Sequence, residues 1–293
     1  MGRILPFALV GFLYLGLLVG SAPTKQRLVR SSGGTTGLKI AAFNVQIFGK
    51  TKMSKEEVVD ILVQIVQRYD IILIQEIRDV SQESIYELLS LVNQQGGHSY
   101  SMELSERLGR SRVKEQYAFL YRDESATVLE SYQYDDGPDD GSDAFEREPF
   151  FVKFRSLISG VEFVLCTLHA KPTDAVNELN ALADVVSIDV ANKWPTDDVL
   201  VLGDLNADCN YVRDLTCSAL SLRCSPFTWL IPDDADTTVS TTDCAYDRFV
   251  ARGQDLVDGI SNVSVFRFDL EYGLTNEEAK AVSDHYPIEL ELV

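Results

Sequence analysis

Short apolar runs that stop on a polar residue recur along the chain. Leu38-Lys-Ile-Ala-Ala-Phe ends at Asn44, Ile71-Ile-Leu-Ile-Gln ends at Glu76, and Val161-Glu-Phe-Val-Leu-Cys-Thr-Leu ends at His169. Val199-Leu-Val-Leu runs into Gly203, with Asp204 and Asn206 just beyond it. Cys244-Ala-Tyr-Asp-Arg-Phe-Val250 carries Asp247 at the head of its run, and Ser283-Asp284-His285-Tyr-Pro287 precedes the alternating Ile288-Glu-Leu-Glu-Leu-Val293. Continuous apolar runs predict strands buried on both faces, and alternation predicts a half-buried one. Tyr117 to Tyr121 reads as a further strand. Val58, Val59, Ile61, Leu62, Ile65, Val66 and Tyr69 fall at helical spacing, and Ser54-Lys-Glu-Glu57 before them has the form of a capping box. Further helices are predicted from about Ser81 to Gln95, from a cap at Thr173 to about Lys193, and after a second capping box, Thr275-Asn-Glu-Glu278. Strands alternate with helices, and several strands follow one another directly. This predicts an α/β fold of mixed sheets with helices outside. No internal repeat is present.

The first residues break this pattern. Arg3 is followed by an apolar stretch from Ile4 to Val19 and by the small residues Gly20-Ser-Ala22, the form of a secretory signal peptide. Residues 23–37 are polar and glycine-rich, a flexible spacer or short pro-segment, with Arg27-Leu-Val-Arg30 as a basic trimming pattern. Residues 38–293 are then expected to form a single catalytic domain. The net charge is −19, and residues 1–37 contribute only cations, so that domain is more acidic still. Such a body is repelled by polyanions overall and would meet a nucleic acid only through metal ions and a local basic patch.

Behind a secretion signal, the five cysteines are permitted to form disulfides. A Cys209–Cys244 bridge would tie together the loops that follow Asp204 and precede Asp247. Cys217 and Cys224 would close a second, small loop, and Cys166, inside a strand, reads as a buried free thiol.

The candidate chemistry lies at the strand ends. Of the three histidines, His98 sits beside Gly96-Gly97 in a polar loop and reads as solvated. His169 and His285 lie at strand ends, with Glu115 and Asp247 available to orient them, which favours general acid–base work. Asn44, Glu76, Asp204, Asn206 and Asp284 are hard oxygen donors, suited to Mg²⁺, Mn²⁺ or Ca²⁺ rather than Zn²⁺. The chain has no phosphate-binding P-loop, no dinucleotide-binding glycine fingerprint and no zinc spacing. A hard cation with two imidazoles fits attack on a phosphodiester.

These residues carry a resemblance. Leu38-Lys-Ile-Ala-Ala-Phe-Asn44, Leu73-Ile-Gln-Glu76, Gly203-Asp-Leu-Asn206-Ala-Asp-Cys209, Asp236-Thr-Thr238, Cys244-Ala-Tyr-Asp247-Arg and Ser283-Asp-His-Tyr-Pro287 together resemble the deoxyribonuclease I family, from Leu38 onward. Gly-Asp-x-Asn alone is shared by the wider endonuclease/exonuclease/phosphatase superfamily. The resemblance implies a four-layer sandwich, two packed mixed β-sheets flanked by helices. It implies a secreted endonuclease acting on double-stranded DNA with low sequence selectivity, dependent on Mg²⁺ (or Mn²⁺) and Ca²⁺. It pairs Glu115 with His169 and Asp247 with His285 as catalytic residues, and sets Asn44, Glu76, Asp204, Asn206 and Asp284 around metal and phosphate. It implies one structural Ca²⁺ site at Asp136, Asp143, Phe145 and Glu148, and a second at Asp236, Thr238, Ser240 and Thr242. DNA contacts are expected from Arg78, Arg110, Arg112, Lys114 and Arg147. The expected state is a monomer without a membrane partner.

The chain also departs from that family. Gln46 replaces a DNA-contacting Arg, Val113 a stacking Tyr, and Ser240 the usual Thr. Pro138-Asp-Asp-Gly141 replaces a small disulfide loop, and the sequon of the first helix is missing, while Asn262-Val-Ser264 offers another. Glu103, Phe150 and Lys50 alter an edge near Met102 to Leu104 through which some relatives bind actin, so weak or no actin binding is expected. The alternatives are another phosphodiesterase of the superfamily (sphingomyelinase-like or an abasic-site nuclease) and a catalytically silent DNA-binding relative.

Overall fold

Alternate residues of the strands belong to different cores, and this fixes the layering. Leu38, Ile40 and Ala42 pack between two sheets, while Ala41, Phe43 and Val45 face a layer of helices. The computed structural model describes residues 2, 37–138 and 143–293. The signal-peptide reading and the spacer therefore lie outside the described residues, apart from Gly2 and Gly37.

The strands are β1 (Leu38–Phe48), β2 (Ile71–Ile77), β3 (Tyr100–Leu104), β4 (Gln116–Arg122), β5 (Ala126–Gln133) and β6 (Phe150–Ser156). They continue as β7 (Glu162–Thr167), β8 (Val199–Asp204), β9 (Thr228–Trp229), β10 (Asp247–Arg252), β11 (Ile260–Val265) and β12 (Ile288–Leu292). One sheet has the order β11-β12-β1-β2-β4-β3 and the other β5-β6-β7-β8-β10-β9. Each is mixed: β1 runs parallel to β2, and β7 parallel to β8, while the other pairings are antiparallel.

The helices are α1 (Lys50–Met53), α2 (Glu56–Gln67), α3 (Glu83–Gln95), α4 (Ala175–Val185), α5 (Ala191–Lys193), α6 (Gln254–Gly259), α7 (Phe268–Glu271) and α8 (Asn276–Val282). The helices α2, α3 and α8 cover the outer face of the first sheet through Leu62, Ile65, Leu88 and Val282. On the second sheet α4 does the same through Leu179 and Leu182. The result is the four-layer α/β sandwich expected from the sequence.

Several local readings need correction. Ser54 does not cap α2: its hydroxyl donates to the Thr51 carbonyl at the end of α1, and Lys55 is the N-cap without a side-chain bond. The polar run Lys50-Thr-Lys-Met53 concealed that extra turn. The cap of α4 is Asp174 rather than Thr173, and α3 begins at Glu83 rather than Ser81. Helical structure does reach Lys193, through a turn of π-helix at Val186–Val190. The capping box at Thr275 and Glu278 is formed. Cys209–Cys244 and Cys217–Cys224 are disulfides, and Cys166 is a buried free thiol. No described helix is long and apolar enough to cross a membrane.

Candidate functional site

The strand-end residues converge because the central strands of both sheets finish at one rim. Asn44 stands beside Gln75 in the parallel pair β1–β2, and Asp204 stands opposite Asp247 in β8–β10. There the backbone leaves the ladder through left-handed residues, Gln46 (φ 34°), Ile47 (φ 53°), Glu76 (φ 60°) and Asn206 (φ 48°). Non-glycine residues in this region cost energy and concentrate at functional sites. Gly203 has φ 129°, and a Cβ there would lie 2.6 Å from Gln75 Nε2 and 2.9 Å from the Leu168 carbonyl. Its absence lets buried Gln75 join the sheets, accepting from Asp204 N at 2.8 Å and donating to the Leu168 carbonyl at 3.0 Å. The strand pattern marked Gln75 only as part of an apolar run, so its bridging role was not visible.

Two histidine–carboxylate pairs face one another across this junction. His169 Nδ1 lies 2.9 Å from Glu115 Oε2, and His285 Nδ1 lies 2.7 Å from Asp247 Oδ2. An ionised carboxylate only accepts, so each Nδ1 carries the proton of its bond. Both Nε2 atoms then point inward, each 3.5 Å from the same oxygen, Asp204 Oδ2. All five side chains are buried.

The two carboxylates differ in their surroundings. Burial would raise the Glu115 pKa, but the His169 bond and the charges of Arg147 and Arg78 outweigh it and hold it at about 2. Asp247 is wholly buried, and desolvation keeps its pKa raised despite its histidine. Burial would lower the His285 pKa, but Asp247 and Asp204 together push it to about 10.

The expected metal ligands are brought together unevenly. Asn44 Nδ2 spans Glu76 Oε1 at 3.2 Å and Asp204 Oδ2 at 3.0 Å. Glu76 Oε2 accepts from Ile47 N, and Asp284 Oδ2 accepts from Gln46 Nε2, both at 2.8 Å. Asn206 turns away, its amide donating to the Ala170 carbonyl at 2.9 Å. Asp204, Asp247 and His285 form a cluster with ligand-capable atoms within 4.8 Å of one another. Asp284 Oδ1 and Asp247 Oδ1 are buried without a hydrogen-bond partner. Buried carboxylate oxygens without donors, beside an all-oxygen set, fit a hard divalent cation.

The two expected calcium loops differ. Asp136 Oδ2 accepts from Ala144 N at 2.6 Å and Phe145 N at 2.9 Å, while its Oδ1 is buried and unpartnered, an acceptor suited to a cation. Asp143 is ion-paired with Arg110. Glu148 follows Arg147 in the loop leading into β6. In the other loop the polar groups already serve each other. Thr238 donates to Asp236 Oδ1 at 2.8 Å, and Ser240 Oγ accepts from Thr242 N at 2.9 Å.

Among the expected DNA contacts, Arg78 reaches Glu76 at 2.7 Å and Glu115 at 2.8 Å. Arg147 Nε donates to the His169 carbonyl at 3.0 Å. Arg110 is ion-paired with Asp143 and donates to its backbone carbonyl at 2.7 Å. Arg112 is exposed beside exposed Val113, and Lys114 is half-buried. Phe150 is buried against Phe119, so its ring does not project from the edge at Met102 to Leu104 as the sequence suggested.

Several supporting residues escaped sequence reading because their partners are remote in the chain. Lys52 donates from a buried position to the Val45 carbonyl at 2.8 Å and to the remote Val282 carbonyl, and burial lowers its pKa to about 8. Glu178 of α4, also buried, accepts from Glu146 N at 3.0 Å and Lys171 N at 3.1 Å. Tyr246 lies 6.3 Å from the His285 ring and 5.3 Å from Tyr211.

Comparison with known proteins adds an independent line. Residues 41–285 match the model of the Endonuclease/Exonuclease/phosphatase family. Deoxyribonuclease-1 of Bos taurus is 46% identical over 297 residues, covering 100% of this chain and 98% of its own length. Deoxyribonuclease-1 of Homo sapiens is 46% identical over 287 residues, covering 96% and 99%. Among solved structures, the human Nocturnin catalytic domain with bound sulfate superposes with TM-score 0.61 at 15% identity, over 88% of this chain and 94% of that one. D. rerio TDP2 complexed with single-strand DNA product gives 0.59 at 14% identity, over 87% and 98%. At such identities these two speak for the fold alone.

Proposed function

From the premise that the chain belongs to the Endonuclease/Exonuclease/phosphatase family, as a DNA-hydrolysing endonuclease of its deoxyribonuclease I branch, we propose a mechanism built on the two facing histidine pairs. Residues 38–293 form the catalytic domain. One imidazole takes a proton from the attacking water through Nε2, and the other gives one to the departing sugar oxygen. Glu115 and Asp247 keep each ring in the tautomer that presents Nε2 and offset the positive charge it gains. Arg147 fixes the His169 backbone, and Arg78 holds Glu115 from the other side. The observation that carries this reading is the approach of both Nε2 atoms to the same oxygen, Asp204 Oδ2, each at 3.5 Å.

Nucleases of this family depend on divalent metal. Glu76, Asp204 and Asp284, with Asn44 and Asn206, are the residues that would hold Mg²⁺ or Mn²⁺ here, and the ion would offset charge gathering on the phosphoryl oxygens. Ca²⁺ would bind at Asp136, Asp143, the Phe145 carbonyl and Glu148, supported by the unpartnered Asp136 Oδ1. The loop of Asp236, Thr238, Ser240 and Thr242 is the second calcium site in this reading.

The substrate is double-stranded DNA, met through Arg78, Arg110, Arg112, Lys114 and Arg147. Phosphate-directed cations give affinity with little sequence selectivity, leaving groove width as the main discriminator. We read the enzyme as secreted, supported by its two disulfides, as monomeric, and as a weak binder of actin, supported by Glu103 and Lys50 on the rim.

The test is plasmid nicking with Mg²⁺ and Ca²⁺, with and without chelator, for the parent, His169→Ala and His285→Ala. Chelation should abolish nicking, and each variant should lose orders of magnitude with an unchanged circular dichroism spectrum. Near-parental nicking by either folded variant removes that histidine from the mechanism.

A further inference from the structure

Asn262-Val263-Ser264 is the one Asn-x-Ser/Thr sequence in the chain. Such a tripeptide accepts an oligosaccharide only where the asparagine side chain is accessible. It lies in β11, the terminal strand of its sheet. The β11–β12 register shifts between Ser261 and Ser264, so Asn262 sits on a bulge. Its backbone is left-handed (φ 51°), and Ser261, Asn262 and Ser264 are all exposed. A bulge re-aims its side chain out of the pleat. Asn262 Nδ2 spends one hydrogen on Glu291 Oε2 at 2.8 Å, and the other is free for substitution.

We propose that Asn262 is an N-glycosylation site, a reading that rests on the chain being secreted. The co-substrate is an oligosaccharide carried on a polyprenyl diphosphate. Nδ2 forms the bond to sugar C1 and loses one proton, the C1–O bond breaks, and polyprenyl diphosphate leaves. The remaining amide hydrogen still reaches Glu291.

The position suits a bulky modification. Glu291 pairs with Lys39, at the opposite end of β1 from Asn44. Five residues at about 3.3 Å each set the glycan roughly 16 Å along the strand from the catalytic rim. An open edge strand offers unpaired backbone groups to other chains, and a glycan on it blocks that pairing.

The experiment expresses the full chain in secretory eukaryotic cells, with a parallel arm carrying an added secretion signal before Met1. Medium and lysate are treated with the amidase that converts glycosylated asparagine to aspartate and analysed by peptide mass spectrometry. Modification at Asn262, its loss in Asn262→Gln and Ser264→Ala, and its retention in Ser264→Thr are expected, with plasmid nicking unchanged in all three. Ser264→Ala keeps the left-handed asparagine, so it separates loss of the acceptor from backbone damage. Unmodified Asn262 in protein recovered from the medium overturns the glycan, and where that protein comes from the arm without the added signal the secretion reading stands. Export only in the arm with the added signal overturns the secretion reading, and the glycan is then judged in that arm.

Discussion

Glu178 offers a measurable test of how the site is held. Its carboxylate ties two backbone N–H groups, Glu146 and Lys171, on either side of the His169 region, and the residue is fully buried. Burial raises its pKa from 4.5 to about 7, against the pull of those two bonds and of Arg147. Between those values the folded protein keeps a proton that the unfolded chain has released, so stability falls as pH rises through this window. The slope is about 1.4 kcal/mol per pH unit, close to 3 kcal/mol in all, and it flattens above the folded value. Glu178→Gln removes the titration but gives one of the two N–H groups an amide donor instead of an acceptor, a loss of roughly 1–3 kcal/mol at every pH. The variant should therefore be less stable than the parent near pH 5 and equal or more stable near pH 8. Urea melts of both proteins at the two pH values, at fixed Ca²⁺, give the difference directly, because other titrating groups are common to both. A stability difference that does not change with pH, or that grows as pH rises, would refute the reasoning.

Other predictions concern stability and partners. Replacing Cys209 and Cys244 by Ala opens a bridge of sequence separation 35 and should cost roughly 4 kcal/mol on the chain-entropy model. Removing Ca²⁺ should lower the Tm further, since it binds only the folded loops, and an unchanged Tm after both treatments would remove these stabilising roles. Arg112→Ser should flatten the logarithmic salt dependence of DNA binding by about 0.9. Equal slopes for parent and variant would take Arg112 off the DNA path. Monomeric actin should not inhibit plasmid cleavage, because Glu103 would be buried unpaired; stoichiometric inhibition at nanomolar enzyme would show the opposite.

How much of this was legible in the chain depends on where each signal resides. β1, β2, β7 and β8 were readable because buried strands are written as local apolar runs, and β12 through its alternation. β5 was not, since its middle residues Leu129, Glu130 and Ser131 face solvent on one outer edge. β6 carries a strand signal of its own in the run Phe150-Phe-Val-Lys-Phe154. β3 and β11 are edge strands of mixed polarity. At the site, polar residues ending apolar runs announced Asn44, Glu76, His169 and Asp204, and the family resemblance supplied their pairing. Gln75, Lys52 and Glu178 stayed hidden because each matters through hydrogen bonds to segments far away in sequence. The burial of Phe150 was hidden for a related reason: sequence gives a side chain's character but not the direction in which it points.

The sheet order has one more consequence, for biosynthesis. β12 lies between β11 and β1 in the middle of its sheet, and His285 sits just before it. Translation proceeds from β1 onward, so β1 waits for this neighbour until all the other strands have been made. Pairing across so long a stretch is slow, because the loop must close before the contacts reward it. His285 cannot meet Asp204 until the same event. A nascent chain therefore carries Asn44, Glu76 and His169 without the second imidazole, and on the proposed mechanism the ability to cut DNA arises only when the fold closes.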